Sequence, residues 1–121
     1  VDIALDAYPC NGGATTCETL WLGVPVVSLA GDVFQSRAGL SLLSAAGLPQ
    51  LVARNSAEYL AIAGDLAQDP GRLQRLRADL RETMRRSPLC DAGAYTRALE
   101  HIYRDIWREW CESPSAGPQT P

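Results

Sequence analysis

Between Tyr8 and Glu18 the chain reads YPCNGGATTCE, a crowd of small and hydroxylated residues between two apolar runs. Two adjacent glycines let a backbone approach a ligand closely and open positive φ angles that other residues resist. Two adjacent threonines add hydroxyl donors. If a helix starts here, its first amides have no intrahelical partner and carry a partial positive charge, which suits a phosphate oxygen. Gly12, Gly13, Ala14, Thr15 and Thr16 are therefore candidate phosphate-binding residues, with Asn11 beside them. Glu18, one turn on, could accept hydrogen bonds from the vicinal hydroxyls of a ribose. Together they suit a nucleotide diphosphate. The same spacing fits an ordinary turn, in which Thr15 or Thr16 caps the helix and Glu18 closes a capping box with Thr15. Glycine-rich loops before helices are common, so spacing alone favours that ordinary use.

The elements that must position these residues follow from the apolar pattern. VDIALDA ends at Pro9 and the glycine loop, as a buried parallel strand should. Residues 14–22 read as a helix with Trp21 in its core face, stopped by Gly23 and Pro25. VPVVSLA is a second strand, and a helix from about Ser36 to Ala46 closes at Gly47. QLVA is a short third strand. Beyond Asn55 the period is helical throughout. Asn55 and Glu58 have capping-box spacing, Asp69 and Pro70 start the next helix, and Asp91 caps the last. The run from Arg72 to Arg86 reads as a solvated helix face, and His101, flanked by Glu100, as a surface or helix-packing residue. The final helix carries more aromatic surface than one buried stripe needs. SPSAGPQTP has no large apolar anchor, so residues 1–112 are expected to form the domain and 113–121 a disordered tail.

Strand–helix alternation implies right-handed βαβ units and a parallel sheet, hence an α/β fold. Three strands alone leave a hydrogen-bonding edge and an apolar face without partners. Val1 also opens directly on a strand-like run without a methionine, so the chain is expected to be the latter half of a doubly wound domain, with part of its site upstream. An exposed edge invites pairing between copies, which leaves a homodimer open.

Composition narrows the partners. The 121 residues are 46% hydrophobic and 21% charged, enough apolar material for one core. A net charge of -3 offers no general pull toward nucleic acid or an anionic membrane. Cys10, Cys17, Cys90 and Cys111 lack CxxC spacing and His101 is the sole histidine, so no metal is expected; the thiols read as reduced and mostly buried. No signal peptide or membrane-length apolar run is seen, which makes the cytoplasm the default location.

Asn11, Gly12, Thr15, Thr16, Glu18, Leu20, Trp21, Gly23, Pro25, Val27, Gly31, Asp32, Ser36 and Arg37 stand in one order: Asn-Gly, a threonine-rich helix start, an acid, Leu-Trp, Gly-x-Pro-x-Val, then a glycine-acid loop ending in Ser-Arg. This pattern, continued through SPLCDAGAYTRALEHIYRDIW, resembles the C-terminal catalytic lobe of the O-linked N-acetylglucosamine transferases and their SPINDLY-like relatives. The resemblance covers nearly the whole chain except the tail. It implies the latter half of a Rossmann-like GT-B C-terminal domain that follows tetratricopeptide repeats and an N-terminal catalytic domain. It also implies an inverting transfer of N-acetylglucosamine, or a related sugar, from UDP to protein Ser or Thr, without a metal.

By position, Gly13 to Thr16 would face the diphosphate and Glu18 the ribose; Arg37 would either neutralise phosphate or pair with Asp32. Animal members have histidine and threonine where this chain has Gly13 and Ala14, and aspartate where it has Glu18. One side-chain phosphate contact is thus missing. The family's lysine on the diphosphate and its uracil and acceptor residues fall upstream, so the resemblance assigns no catalytic residue here and the segment alone is expected to be inactive. The final helix would cross back to the other domain of such an enzyme, unless its surface feeds oligomerisation. From other classes, a non-catalytic nucleotide-binding or interaction module and a purely structural unit stay open.

Overall fold

The computed structural model describes residues 1–113. They fall into two units, residues 1–90 and the segment from Asp91 onward. In the first, β1 (Ala4–Leu5), α1 (Ala14–Trp21), β2 (Val26–Leu29), α2 (Ala38–Ala45), β3 (Val52–Ala53), α3 (Ser56–Gln68) and α4 (Pro70–Arg86) follow one another. The strands make a parallel sheet in the order β1-β2-β3, with Ala4 opposite Val26 and Ser28 opposite Val52. Its core is Leu20, Val26, Val27, Leu43, Leu48, Leu51, Leu66, Leu80 and Met84. Burying each of those leucines contributes about 2 kcal/mol. Helices α1, α2 and α3 all pack on β2.

Local chemistry sets most boundaries. Gly23 (φ 78°) ends α1: Val24 N–H donates to Thr19 O and Gly23 N–H to Leu20 O, the paired bonds of a Schellman motif. Gly47 (φ 74°) ends α2 the same way, with Leu48 N–H on Leu43 O. Asn55 accepts from Glu58 N–H at 2.9 Å, and the Glu58 carboxylate reaches back to Arg54 N–H at 2.7 Å, one residue beyond the usual capping-box partner. Asp69 caps α4, accepting from Arg72 N–H at 2.8 Å.

Several expectations are corrected. The strands are shorter than their apolar runs: β1 keeps only Ala4–Leu5, and Gln50–Leu51 turn in a 3-10 helix before β3. A 3-10 turn over Phe34–Ser36 precedes α2, so that helix starts at Ala38 rather than Ser36. The cysteines are not mostly buried. Cys10, Cys90 and Cys111 are exposed because they stand in loops or near element ends, and only Cys17 is half-buried. Burial pushes the Cys17 thiol pKa up, and the neighbouring Cys90 and Glu18 push it the same way. Trp21 is 36% exposed: the buried stripe of the short α1 runs through Thr16 and Leu20, and Trp21 lies off it under the Arg81 guanidinium, 5.1 Å from its ring centre. The arginine face, by contrast, is solvated as expected: Arg72, Arg75, Arg81, Arg85 and Arg86 are exposed, the last two both holding Glu82, and only Arg77, paired with Asp2, is half-buried.

The second unit is α5 (Ala92–Glu112), capped by Asp91, which accepts from Ala94 N–H at 2.8 Å. Tyr95, Ile102, Tyr103, Ile106, Trp107 and Trp110 are exposed, and Trp107 stacks on Trp110 with ring centres 5.4 Å apart. His101 stands 3.4 Å from Asp105, while Glu100 pairs with Arg104. The tail expected over 113–121 lies, past Ser113, outside the described residues. No described helix is long and apolar enough to cross a membrane.

Candidate functional site

The loop between β1 and α1 is held by two polar side chains. Asp6, at the end of β1, accepts from Gly12 N–H at 2.7 Å on one carboxylate oxygen and from the Ser28 hydroxyl at 2.6 Å on the other. Its carbonyl accepts from the Tyr59 hydroxyl of α3 at 2.9 Å. Burial, with a smaller contribution from the Asp6 charge, raises the Tyr59 pKa, so the phenol stays protonated and donates. Asn11 is buried. Its amide donates to Ala7 O at 3.0 Å and Leu29 O at 3.5 Å, and its Oδ1 accepts from Gly39 N–H at 3.3 Å near the start of α2. One side chain thus ties β1, β2 and α2 together beneath the loop. Asn11 is part of the frame.

The glycines do a different job from the one expected. Neither Gly12 nor Gly13 has a positive φ; among the described residues only Gly23 and Gly47 do. Gly12 is needed for space, because a Cβ there would stand 2.5 Å from Thr16 Oγ1, 2.8 Å from Thr15 Oγ1 and 3.3 Å from Asp6 Oδ1. Its N–H is already given to Asp6, which takes it out of the expected phosphate cradle. Gly13 is the N-cap of α1 and has open space where a Cβ would go.

That start is the informative feature. No side chain caps α1, so neither Thr15 nor Thr16 is the N-cap, and Glu18 closes no box with Thr15. By contrast α3, α4 and α5 carry Asn55, Asp69 and Asp91 as caps, and Gly39 at the start of α2 is served by Asn11. The first intrahelical bond of α1 runs from Cys17 N–H to Gly13 O at 3.2 Å, which leaves the amides of Ala14, Thr15 and Thr16 outside the ladder. Gly13, Ala14 and Thr15 are exposed and Thr16 is buried. The result is a helix start with unclaimed donors whose first residues, Gly13, Ala14 and Thr15, are exposed.

The expected site residues meet at this end of α1 but look onto different grooves. Gly12, Thr15 and Thr16 line a groove of about 240 Å³ along β1 with Asp6 and Thr19. Gly13 and Arg37 border a second, of about 490 Å³, against Phe34, Leu40 and Leu42. Glu18, exposed and one turn above Ala14, lies at an apolar groove of about 460 Å³ with Trp21, Leu22 and Met84. Arg37 donates to Gly31 O at 3.1 Å and makes no ion pair with Asp32. No cluster of three or more metal-ligating side chains occurs among the described residues. Asp6, Ser28, Gly39 and Tyr59 were missed from sequence; the one available signal was a carboxylate at the end of an apolar strand, directly before a glycine loop.

A model of glycosyl transferase family 41 matches residues 1–99. A Hordeum vulgare protein named probable UDP-N-acetylglucosamine–peptide N-acetylglucosaminyltransferase SPINDLY is 47% identical over 115 residues, which is 95% of this chain and 12% of that protein. A Caenorhabditis elegans UDP-N-acetylglucosamine–peptide N-acetylglucosaminyltransferase is 34% identical over 109 residues, 90% of this chain and 10% of its own. The solved structure of a Thermobaculum terrenum O-GlcNAc transferase mutant superposes with a TM-score of 0.85 at 46% identity, over 93% of this chain and 22% of that one. The chain therefore spans about an eighth of the barley relative's length, 12%. Its α/β arrangement is that of the latter half of a Rossmann-like GT-B C-terminal domain.

Proposed function

The chain belongs to glycosyl transferase family 41, and from that membership we propose that it is the donor-holding part of a protein O-glycosyltransferase. The enzyme moves N-acetylglucosamine, or a related sugar, from UDP to Ser or Thr of a protein acceptor. The observation that carries the assignment of the site is the uncapped start of α1, where the amides of Ala14, Thr15 and Thr16 have neither an intrahelical nor a side-chain acceptor and Gly13, Ala14 and Thr15 are exposed. Helix starts of this kind hold phosphate oxygens through N–H donors and the helix dipole. The Thr15 hydroxyl adds a donor at the same end, and Glu18, one turn on, reaches the ribose.

Chemically, this part of the enzyme serves the leaving group. As the glycosidic bond breaks, negative charge grows on the departing diphosphate, and donors fixed in place beforehand stabilise that charge without reorganising. Activation of the acceptor hydroxyl belongs to residues upstream, and the segment by itself is inactive. The same reading carries tetratricopeptide repeats upstream, transfer without a metal, and a cytoplasmic location; family membership is its support.

Titration of UDP into the full-length protein tests it. Thr15→Ala and Glu18→Ala each weaken binding about fivefold, the ~1 kcal/mol of an ordinary hydrogen bond. Unchanged affinity in both variants removes the assignment.

A further inference from the structure

We propose that Asp6 is the positioning residue of the donor site: it sets the loop that presents the α1 amides while being held off those amides itself. The inference rests on the reading of the α1 start as the diphosphate site. An uncapped helix start beside a carboxylate is an unusual pairing, because the carboxylate is the natural cap. Here Asp6 is close enough to take Gly12 N–H at 2.7 Å, two residues before α1 begins, yet it takes none of the α1 amides.

Two features keep it there. The Ser28 hydroxyl binds its second oxygen at 2.6 Å, from a fully buried position on β2. Gly39 leaves the room for that pair, since a Cβ at 39 would stand 1.9 Å from Ser28 Oγ and 2.7 Å from Asp6 Oδ2. Both carboxylate oxygens are therefore engaged away from Ala14–Thr16. The backbone of Asp6 is fixed in turn by its N–H on Val27 O at 2.9 Å and by Tyr59 on its carbonyl. A carboxylate left loose at this place would swing onto the helix start and compete with an anionic ligand for the same donors.

The role is geometric, so the shape and hydrogen-bonding capacity of the side chain matter and its charge does not. Asparagine can accept from Gly12 N–H with its oxygen and donate to Ser28 Oγ with its amide. Alanine can do neither. The test is UDP binding by calorimetry on full-length variants that melt cooperatively, with Gly13→Asp, which blocks the helix start directly, as a reference. Asp6→Ala is expected to weaken UDP at least tenfold and Asp6→Asn to stay within threefold of the parent. Ser28→Ala, which frees one carboxylate oxygen, is expected to weaken it three- to tenfold, and carries the test if Asp6→Ala does not fold.

The proposal is overturned, with the diphosphate reading intact, if Gly13→Asp loses UDP while Asp6→Ala and Ser28→Ala bind within twofold of the parent. It is also overturned if Asp6→Asn falls as far as Asp6→Ala, which would make the charge the functional property. If Gly13→Asp itself binds normally, the diphosphate reading fails first and the proposal goes with it.

Discussion

Placing an aspartate at position 13 turns the unclaimed α1 start into an ordinary capped one. There is room for the substitution: nothing lies within 4 Å of a Cβ built on Gly13, and its φ of -109° is outside the left-handed range that favours glycine. An N-cap carboxylate accepts from the N2 or N3 amide, here Thr15 or Thr16, and adds a negative charge at the place proposed for the diphosphate. Two unit charges about 4 Å apart repel by about 4 kcal/mol at an effective dielectric of 20. Position 13 is exposed, so solvent screening reduces this to about 2 kcal/mol, or roughly thirtyfold in affinity. Helix stability moves the other way, since aspartate caps better than glycine by a few tenths of a kcal/mol. Full-length Gly13→Ala, Gly13→Asn and Gly13→Asp form a series: open, capped without charge, capped with charge. UDP calorimetry should show affinity falling in that order, while thermal melts show Gly13→Asp at least as stable as Gly13→Ala. Equal UDP affinity for Gly13→Asp and Gly13→Ala would refute the claim that these amides grip the diphosphate.

Two further outcomes follow from the packing and the ion pairs. Gly39→Ala drives a methyl into Ser28 Oγ and should destabilise the domain by about 3 kcal/mol, from overpacking plus loss of a charge-assisted hydrogen bond; a melting temperature equal to the parent's would show that the Asp6–Ser28 pair yields freely. Glu82 is held at a pKa of about 2, chiefly by its bond to Arg85 and then by Arg86, against an ordinary 4.5. Because the folded pKa is lowered, the stabilisation is complete above about pH 4.5 and fades as pH falls through about 2. Glu82→Gln should therefore melt below the parent at pH 7 but level with it near pH 2, and high salt should shrink the gap because the pair is exposed; a gap constant across pH would exclude the ion pair as its cause.

Local signals in the chain determined where elements start and stop. Gly23 and Gly47 ended α1 and α2 because a left-handed C′ residue is a property of the backbone at that one position, and Asn55, Asp69 and Asp91 capped helices because a cap bonds an amide three residues away. The order of Asn11 to Arg37 was enough to indicate the family that the match over residues 1–99 bears out. The state of the α1 start was not legible. Whether Thr15 or Thr16 caps that helix depends on rotamers and loop path, and in sequence the capped and uncapped versions share one spacing.

Tertiary structure decided the rest by bringing together residues 22 to 53 positions apart. Asp6 meets Ser28 and Tyr59, and Asn11 meets Gly39, only because β1, β2, α2 and α3 converge at one end of the sheet. Likewise Trp21, apolar and expected inside, lies half-exposed beneath Arg81 of α4, because one eight-residue helix offers a single buried stripe and Thr16 and Leu20 already fill it. Sequence periodicity identifies which residues could share a helical face. It does not say which neighbour that face will meet, since that depends on contacts whose partners are distant along the chain.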